Sequence, residues 1–287
     1  MRVPTSFLSE VIALFGQPVA ENPTQFMHER AFEALDLNWR YLTLEVPPAN
    51  LPDAVRGMRA MGFAGANCTI PHKIAVIPHL DAVTDTARKI GAVNTIVRRP
   101  DRSLLGENTD GKGFIRSVRE VGLDLTGVRA VVLGAGGAAR AIAVELAEAG
   151  AGSVRIVNRT PERGAELAAH VREVTGIETA FDPWEGAYRV PADVQLLVNA
   201  TSIALHPNVN DRVPVDYDTL RPGMVVSDVI PNPPDTPFLR LAREAGATTL
   251  DGLGMLVYQG AIAFKMWTGE DAPIDVMRRA LEDVFAA

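Results

Sequence analysis

The chain has little that would cross-link it, attract nucleic acid or hold it in a membrane. Cys68 is the single cysteine among 287 residues, so no disulfide can form within the chain. The 28 Lys and Arg against 35 Asp and Glu give a net charge of −7, and neutralising a phosphate backbone needs a basic face. The longest charge-free stretch near the C-terminus, Gly252 to Phe264, is shorter than the roughly 20 residues that cross a bilayer. We therefore expect no nucleic-acid partner and no membrane span.

Targeting and metal-binding signals are also missing. The first residues lack a basic start followed by an apolar run and a small-residue cleavage site, which, with the lone cysteine, predicts a reduced, cytoplasmic setting. The five histidines show no spacing that joins with Cys68 into a ligand set, so we expect no metal. Cys68 is expected to be a packed residue, because a nucleophilic cysteine would need a histidine partner.

What is present is the composition of an ordinary globular protein, with 47% hydrophobic and 22% charged residues. The length is about twice that of a typical domain. Short β-rich runs alternate with helical runs, which predicts an α/β architecture with mostly parallel strands. In the first part of the chain we expect strands at 11–15, 39–46, 63–66, 94–99 and 103–107, the last two as a hairpin, and helices at 25–35, 51–61 and 113–121.

A regular strand–helix period follows a predicted boundary near residue 112. It predicts strands at 129–133, 153–158, 194–199, 224–229 and 248–250 and helices at 138–149, 161–171 and 238–245. Two further helices, at 253–267 and 274–285, are expected to pack back on the first domain. The predicted domains are therefore a discontinuous one, 1–112 plus 252–287, and a Rossmann-type one, 113–251.

A glycine-rich segment follows the strand at 129–133 and opens a helix. Gly134 permits a tight turn, and Gly136 lets the backbone approach a pyrophosphate whose charge the helix N-terminus favours. A tight turn alone can also use glycines, but this context favours dinucleotide binding. The residues expected to line the phosphates are Gly134, Ala135, Gly136, Gly137 and Ala138.

The end of the next predicted strand bears on the choice between NAD and NADP. An NAD site usually carries an acidic residue there, whereas this chain has Asn158, Arg159 and Thr160, with Arg163 one turn later. Guanidinium groups make planar, charge-assisted contacts to a 2′-phosphate, so NADP is the predicted cofactor. The alternative is that Thr160 only caps a helix, Pro161 takes its first position and the arginines are solvated.

A lysine and an aspartate are the candidate proton-transfer groups. Pro71 suits the first position of a helix and Pro78 ends it, so Lys73 is expected in a first turn, where the helix dipole lowers its proton affinity. Asp110 lies in a glycine-flanked segment that we expect a strand end to project outward. A Lys–Asp pair can exchange a proton with a hydroxyl or ketone. From these residues alone, a surface lysine is the commoner role.

Eight segments, in order, resemble the shikimate dehydrogenase family: FGQP (15–18), GANCTIPHK (65–73), GAVNT (91–95), GENTDG (106–111), GAGGAAR (134–140), NRT (158–160), NATS (199–202) and DGLGMLVYQ (251–259). The resemblance implies an NADPH-dependent reduction of 3-dehydroshikimate to shikimate, in the chorismate pathway of aromatic amino acid biosynthesis. It implies that the discontinuous domain binds substrate and that Lys73 and Asp110 are the catalytic pair. The implied substrate-binding residues are Asn22, Thr24, Asn67, Thr69, Asn94 and Gln259, and the implied further cofactor residues are Thr201, Ser202, Val229 and Gly252.

The sequence departs from the family where a substrate carboxylate is held. The family usually has Ser-x-Ser-Pro and, in a later loop, a tyrosine; this chain has Asn22, Thr24 and Pro231 there, and Ala204 replaces a usual glycine on the nicotinamide side. Losing a charge-assisted hydrogen bond costs on the order of 1.5–3 kcal/mol. Three readings stay open: a shikimate dehydrogenase with a reworked carboxylate pocket, a dehydrogenase of quinate or another cyclic polyol, and a non-catalytic NADP-binding regulator. Each would act on or bind a small molecule, as a monomer or a homodimer.

Overall fold

The computed structural model describes residues 7–286, which divide into two compact units. The first unit comprises residues up to Thr109 together with those from Gly260, and the second is Asp110–Gln259. The predicted boundaries, at residues 112 and 252, differ from these positions. The second difference arises because one long helix, 252–268, begins in the second unit and ends in the first.

The first unit is built on a mixed six-stranded sheet. In spatial order the strands are β2, β1, β3, β5, β6 and β4, with β5 antiparallel to both of its neighbours. The elements up to residue 109 are β1 (Glu10–Gly16), α1 (Thr24–Ala34), β2 (Trp39–Glu45), α2 (Leu51–Met61), β3 (Gly65–Cys68), α3 (His72–Ala75), β4 (Ala82–Val83), α4 (Asp85–Ile90), β5 (Thr95–Arg98) and β6 (Leu104–Glu107).

The second unit contains a six-stranded sheet in which every pair is parallel, in the order β12, β11, β10, β7, β8, β9. This is the strand order of a dinucleotide-binding Rossmann fold, as predicted. Its elements are α5 (Asp110–Glu120), β7 (Arg129–Leu133), α6 (Gly137–Glu148), β8 (Ser153–Asn158), α7 (Pro161–Thr175), β9 (Glu178–Pro183), β10 (Leu196–Asn199), β11 (Val225–Asp228), α8 (Pro237–Glu244) and β12 (Thr248–Leu250). The chain ends with α9 (Gly252–Thr268) and α10 (Ile274–Ala286).

Two predicted elements differ from the structure for reasons of backbone hydrogen bonding. The strand expected at 63–66 is β3, at Gly65–Cys68, because the Phe63 N–H donates back to Met58 and closes the end of α2 around left-handed Gly62. The helix expected to run to Pro78 stops at Ala75, since proline has no N–H with which to continue it. The short elements β4 and α4 and the edge strand β9 are additional to the prediction.

An aromatic cluster around His28 fills the first unit between α1, β2 and α9. The imidazole is fully buried, stacks on Tyr41 with ring centroids 4.9 Å apart, and lies near Phe264 and Trp267. Among the described residues, 7–286, neither ring nitrogen has a hydrogen-bond partner. Burial lowers the pKa of His28 from 6.5 to about 3, so the folded chain keeps this residue neutral.

We expect His28→Phe to reduce the acid sensitivity of the fold. Below pH 6.5 the unfolded chain protonates His28 while the folded chain does not until about pH 3, so stability declines as pH falls through that range. The slope from this group is about 1.4 kcal/mol per pH unit. Urea unfolding of the unchanged protein and of His28→Phe at pH 7.5, 6 and 5 measures this slope. Parallel stability curves for the two proteins would contradict this assignment.

Candidate functional site

The predicted cofactor-binding residues of the second unit follow the carboxyl ends of its parallel strands. Ligands of such sheets bind beyond this edge, where the strand order reverses, here between β7 and β10. Gly134 follows β7 with φ of +108°, and a side chain there would meet the Ala200 carbonyl oxygen at 3.0 Å. Glycine at 134 therefore lets the segments after β7 and β10 approach each other.

The turn between β7 and α6 leaves its backbone open to a ligand. A Cβ atom at Gly136 or Gly137 would meet no atom within 4 Å, so these glycines are not required by packing inside the protein. Among residues 7–286, no side chain caps the start of α6. Exposed N–H groups at a helix N-terminus and room for close approach are what a pyrophosphate needs, so the segment 134–138 fits a dinucleotide.

The segment after β8 presents two exposed arginines. In the part of the chain that the structure describes, neither Arg159 nor Arg163 forms a salt bridge. Asn158 turns back and donates its amide to the Thr160 carbonyl oxygen at 2.8 Å. Thr160 precedes α7, which starts with Pro161. Its hydroxyl makes no capping hydrogen bond in the region that the structure describes, so the capping alternative does not account for this residue. The arginines fit a 2′-phosphate.

The remaining predicted cofactor residues lie in the loops after β10 and β11 and at the start of α9. Thr201 donates its hydroxyl to Asn199 at 2.7 Å, while Ser202 is exposed. Gly252 begins α9 beside Ile230, whose carbonyl oxygen would lie 2.5 Å from a Cβ at this position, so close packing alone requires this glycine. Ala204 is fully buried and keeps a left-handed φ of 74°, a conformation that glycine adopts more readily.

Lys73 lies in α3, which has only four residues. A single turn places Lys73 near both ends of this helix. The backbone holds α3 firmly: the Lys73 carbonyl accepts from the Val93 N–H at 2.7 Å, and the buried His72 ring lies 2.7 Å from the Val46 carbonyl. Burial raises the pKa of the Cys68 thiol to about 12, against the opposing charge of Lys73, which makes this cysteine a poor nucleophile.

Asn67 and Asn94 belong to one buried hydrogen-bond network of the first unit. Asn67 donates to the Asn94 carbonyl oxygen at 3.0 Å and accepts from the Tyr41 hydroxyl at 2.7 Å. Asn94 accepts from the Thr109 N–H at 2.8 Å and donates to its hydroxyl at 3.0 Å. These bonds fix the orientation of both amides. Tyr41 is a contributor that sequence reasoning missed, because only the paired register of β1, β2 and β3 brings it near Asn67.

Asp110 is the first residue of α5 and is only 7% exposed, so the expectation that a strand end projects it outward was wrong. Gly113, one turn later, lies on the same face of α5. A Cβ at Gly113 would lie 2.6 Å from the Gln259 backbone nitrogen. The close approach of α5 and α9 therefore brings Asp110 and Gln259 to one region of the second unit. The sequence signal that could have indicated this arrangement is the spacing from Asp110 to Gly113, because residues three apart lie on the same face of a helix.

The residues at the predicted carboxylate-binding positions carry no charge. The Asn22 side-chain oxygen accepts from the Thr24 N–H at 3.0 Å, at the start of α1. That N–H is therefore already paired, and Thr24 is itself 95% buried. Pro231, in the loop after β11, offers neither a hydroxyl nor an N–H. Thr69 lies between β3 and α3, where its methyl group packs against Gly16.

Three family profiles match successive parts of the chain. They are described as the shikimate dehydrogenase substrate binding domain (residues 14–96), shikimate / quinate 5-dehydrogenase (117–207) and the shikimate 5'-dehydrogenase C-terminal domain (252–282). A shikimate dehydrogenase (NADP(+)) of Moorella thermoacetica is 47% identical over 96% of this chain and 94% of its own length. The chain belongs to the shikimate dehydrogenase family. The resemblance of the eight sequence segments is thereby confirmed.

Two solved structures show the same fold at full length. The ligand-free 5-ketofructose reductase of Gluconobacter sp. strain CHM43 is 46% identical, with a TM-score of 0.93, 98% of this chain and 100% of that chain covered. A shikimate dehydrogenase in complex with NADP+ is 39% identical, with a TM-score of 0.90 and 96% of both chains covered. Proteins named for different substrates are thus about equally similar to this chain, at 46% and 47% identity.

Two further site types were considered from the sequence, a metal site and a membrane span, and residues 7–286 offer neither arrangement. No group of three or more His, Cys, Asp or Glu residues in that range is arranged to hold a metal ion. No helix in the same range has the length and apolar character to span a bilayer.

Gly113→Ala is expected to destabilise the second unit by about 1–3 kcal/mol, because its methyl group would meet the backbone of α9. The matched control is Gly57→Ala in α2, where a methyl group would meet only the end of Met61, at 3.7 Å. We expect that control to be neutral or more stable by up to about 1 kcal/mol. Thermal and urea unfolding compare the two variants. Equal stabilities would refute the close helix approach.

Proposed function

We propose that this protein is an NADP-dependent shikimate dehydrogenase that interconverts 3-dehydroshikimate and shikimate. The observation that carries the proposal is the match to relatives named shikimate dehydrogenase (NADP(+)), which are 41–47% identical over 94–97% of the chain. Both members of the predicted catalytic pair, Lys73 and Asp110, are present. We assign substrate binding to 1–112 plus 252–287 and dinucleotide binding to 113–251.

The second unit carries the cofactor. In this proposal the 134–138 turn holds the pyrophosphate, Arg159 and Arg163 contact the 2′-phosphate with Asn158 and Thr160 beside them, and the nicotinamide side is formed by Thr201, Ser202, Val229 and Gly252. NADPH, when bound there, supplies the hydride for carbonyl reduction. The proposed setting is the cytoplasm, as a monomer or homodimer; the buried, reduced thiol of Cys68 suits a reducing compartment.

Side chains of the protein transfer the proton. In the reduction, the Lys73 ammonium donates a proton to the substrate oxygen as negative charge develops on it, and in the oxidation the neutral amine accepts that proton. Asp110 orients and stabilises the ammonium by its negative charge.

The ring hydroxyls are the proposed partners of Asn67, Asn94, Thr69 and Gln259. Amides both donate and accept, which suits neighbouring hydroxyls of fixed direction. The internal hydrogen bonds of Asn67 and Asn94 hold these amides before substrate arrives, so little side-chain entropy remains to be lost on binding.

We expect Lys73→Met to lower kcat by about 10²–10⁴-fold while NADPH binding stays within about two-fold, because general acid–base catalysis contributes on that order. The matched control is Lys265→Met, which removes a surface lysine paired with Asp271. Steady-state assays and NADPH titration of each variant provide the measurements. Full turnover by a folded Lys73→Met protein would rule out this role.

A second candidate function is the reduction of an uncharged polyhydroxy ketone. It is favoured by the altered carboxylate positions, Asn22, Thr24 and Pro231, together with the 46% identity to 5-ketofructose reductase. The Asn22 side-chain oxygen already accepts a hydrogen bond from the Thr24 N–H at the start of α1. A bound anion would otherwise accept from that N–H. A neutral substrate does not need that donor, because it has no carboxylate to accept a hydrogen bond from it. A quinate dehydrogenase or a non-catalytic NADP-binding regulator remains an alternative for the same site.

We expect a substrate panel to separate these functions. Shikimate, quinate and 5-ketofructose are assayed with NADP(H), on the unchanged protein and on the triple variant Asn22→Ser, Thr24→Ser, Pro231→Tyr. For a shikimate dehydrogenase, restoring hydroxyl donors lowers the KM for shikimate about ten-fold or more, because a hydrogen bond to a charged group contributes about 1.5–3 kcal/mol.

Selective turnover of 5-ketofructose or quinate by the unchanged protein would replace the shikimate assignment with that substrate. NADPH binding without turnover of any of the three would favour the regulator. The affinity for NADPH serves as the internal control, since the triple variant leaves the predicted cofactor residues unchanged.

A further inference from the structure

Asp228, the last residue of β11, carries a fully buried carboxylate that the proposed reaction does not use. One of its oxygens accepts from the Asn199 amide at 3.0 Å and from the Ile230 N–H at 3.2 Å. The other oxygen accepts from the Thr236 hydroxyl at 2.8 Å. Within residues 7–286 no basic side chain forms a salt bridge with it.

The donors to Asp228 belong to three separate segments at the carboxyl edge of the second sheet. Asn199 ends β10 and accepts in turn from the hydroxyl and N–H of Thr201, at 2.7 and 3.2 Å. Ile230 lies directly after Val229. Thr236 caps α8 by accepting from the Leu239 N–H at 3.3 Å. One carboxylate therefore ties the loop after β10 to the loop after β11 and to the start of α8.

Packing alone does not explain a buried charge at this position. Burial raises the pKa of Asp228 to about 6, while its three hydrogen-bond donors oppose that shift. At neutral pH the carboxylate accepts charge-assisted hydrogen bonds, which are stronger than those a neutral side chain would accept. The energetic penalty of burial is thus offset by bonds that hold two loops in one arrangement.

We propose that Asp228 is a positioning residue for the cofactor, because its carboxylate holds Thr201, Ser202 and Val229 in the geometry that the bound dinucleotide requires. The inference rests on the proposed cofactor site. It extends that proposal to a residue that touches neither cofactor nor substrate and acts through Asn199 and the Ile230 backbone.

The test is direct titration of each protein with NADPH at pH 7.5, followed by steady-state kinetics. We expect Asp228→Ala to raise the Kd and KM for NADPH by about ten-fold or more, since it removes charge-assisted bonds. Asp228→Asn, which keeps one accepting oxygen, is expected to give a smaller rise. The KM for the carbonyl substrate should change by less than about three-fold, a split that general destabilisation would not produce.

Ser227→Ala is the matched control, because Ser227 is the neighbouring buried residue of β11 and its hydroxyl donates to neither loop within the described part of the chain. Its Kd for NADPH should stay within about two-fold of the unchanged protein. If Asp228→Ala does not fold, the Kd for NADPH is measured for Thr236→Val and Thr236→Ser instead. Weaker binding by the valine variant, with binding recovered in the serine variant, supports the proposal. Equal binding by the two variants overturns it.

Two negative results have different meanings. A folded Asp228→Ala protein that binds NADPH as tightly as the unchanged protein overturns the positioning role and leaves the proposed function in place. Failure of the unchanged protein to bind NADPH overturns the proposed cofactor site and this inference with it.

Discussion

Backbone segments that carry the predicted site residues approach their neighbours more closely than a side chain would permit. Gly113 brings α5 against α9 beside Gln259, Gly252 brings the start of α9 against Ile230, and Gly134 meets the segment after β10. Gly16 leaves room for Thr69 in the same way. At each point a methyl group would push away a strand end or a helix that holds a predicted catalytic or binding residue. Close backbone packing is therefore the constraint on which the site geometry depends.

The sequence predicted the second unit well, because local patterns are sufficient there. Most of its predicted strands are short apolar runs, its predicted helices begin or end at a recognisable residue, and the glycine turn after β7 marks the predicted cofactor edge. Only the edge strand β9, with the sequence ETAFDP, was not predicted among its strands. The first unit contains several very short elements, among them α3 with four residues and β4 with two. Proline and helix-capping bonds moved the ends of α3 and β3, and two-residue β4 gives no periodic signal.

Residues that act through distant partners could not be predicted from spacing. Tyr41 reaches Asn67 only because β1 pairs with both β2 and β3. Asp228 appears in sequence as an ordinary strand end, and only the fold shows that its carboxylate accepts from Asn199 and Thr236. The packing of α5, which begins at Asp110, against α6 and α9 is likewise visible only in the fold, where Gly111 and Gly113 allow close contact.

The first unit contains the only sulfhydryl of the chain, in the interior strand β3, and the second unit has none. Cys68 is 2% exposed, and its protonated form is favoured by burial. A thiol-specific dye would therefore leave the folded protein unmodified and react when the sheet around β3 opens. The chain thus carries a built-in chemical probe that reports the opening of one half of the molecule without engineering.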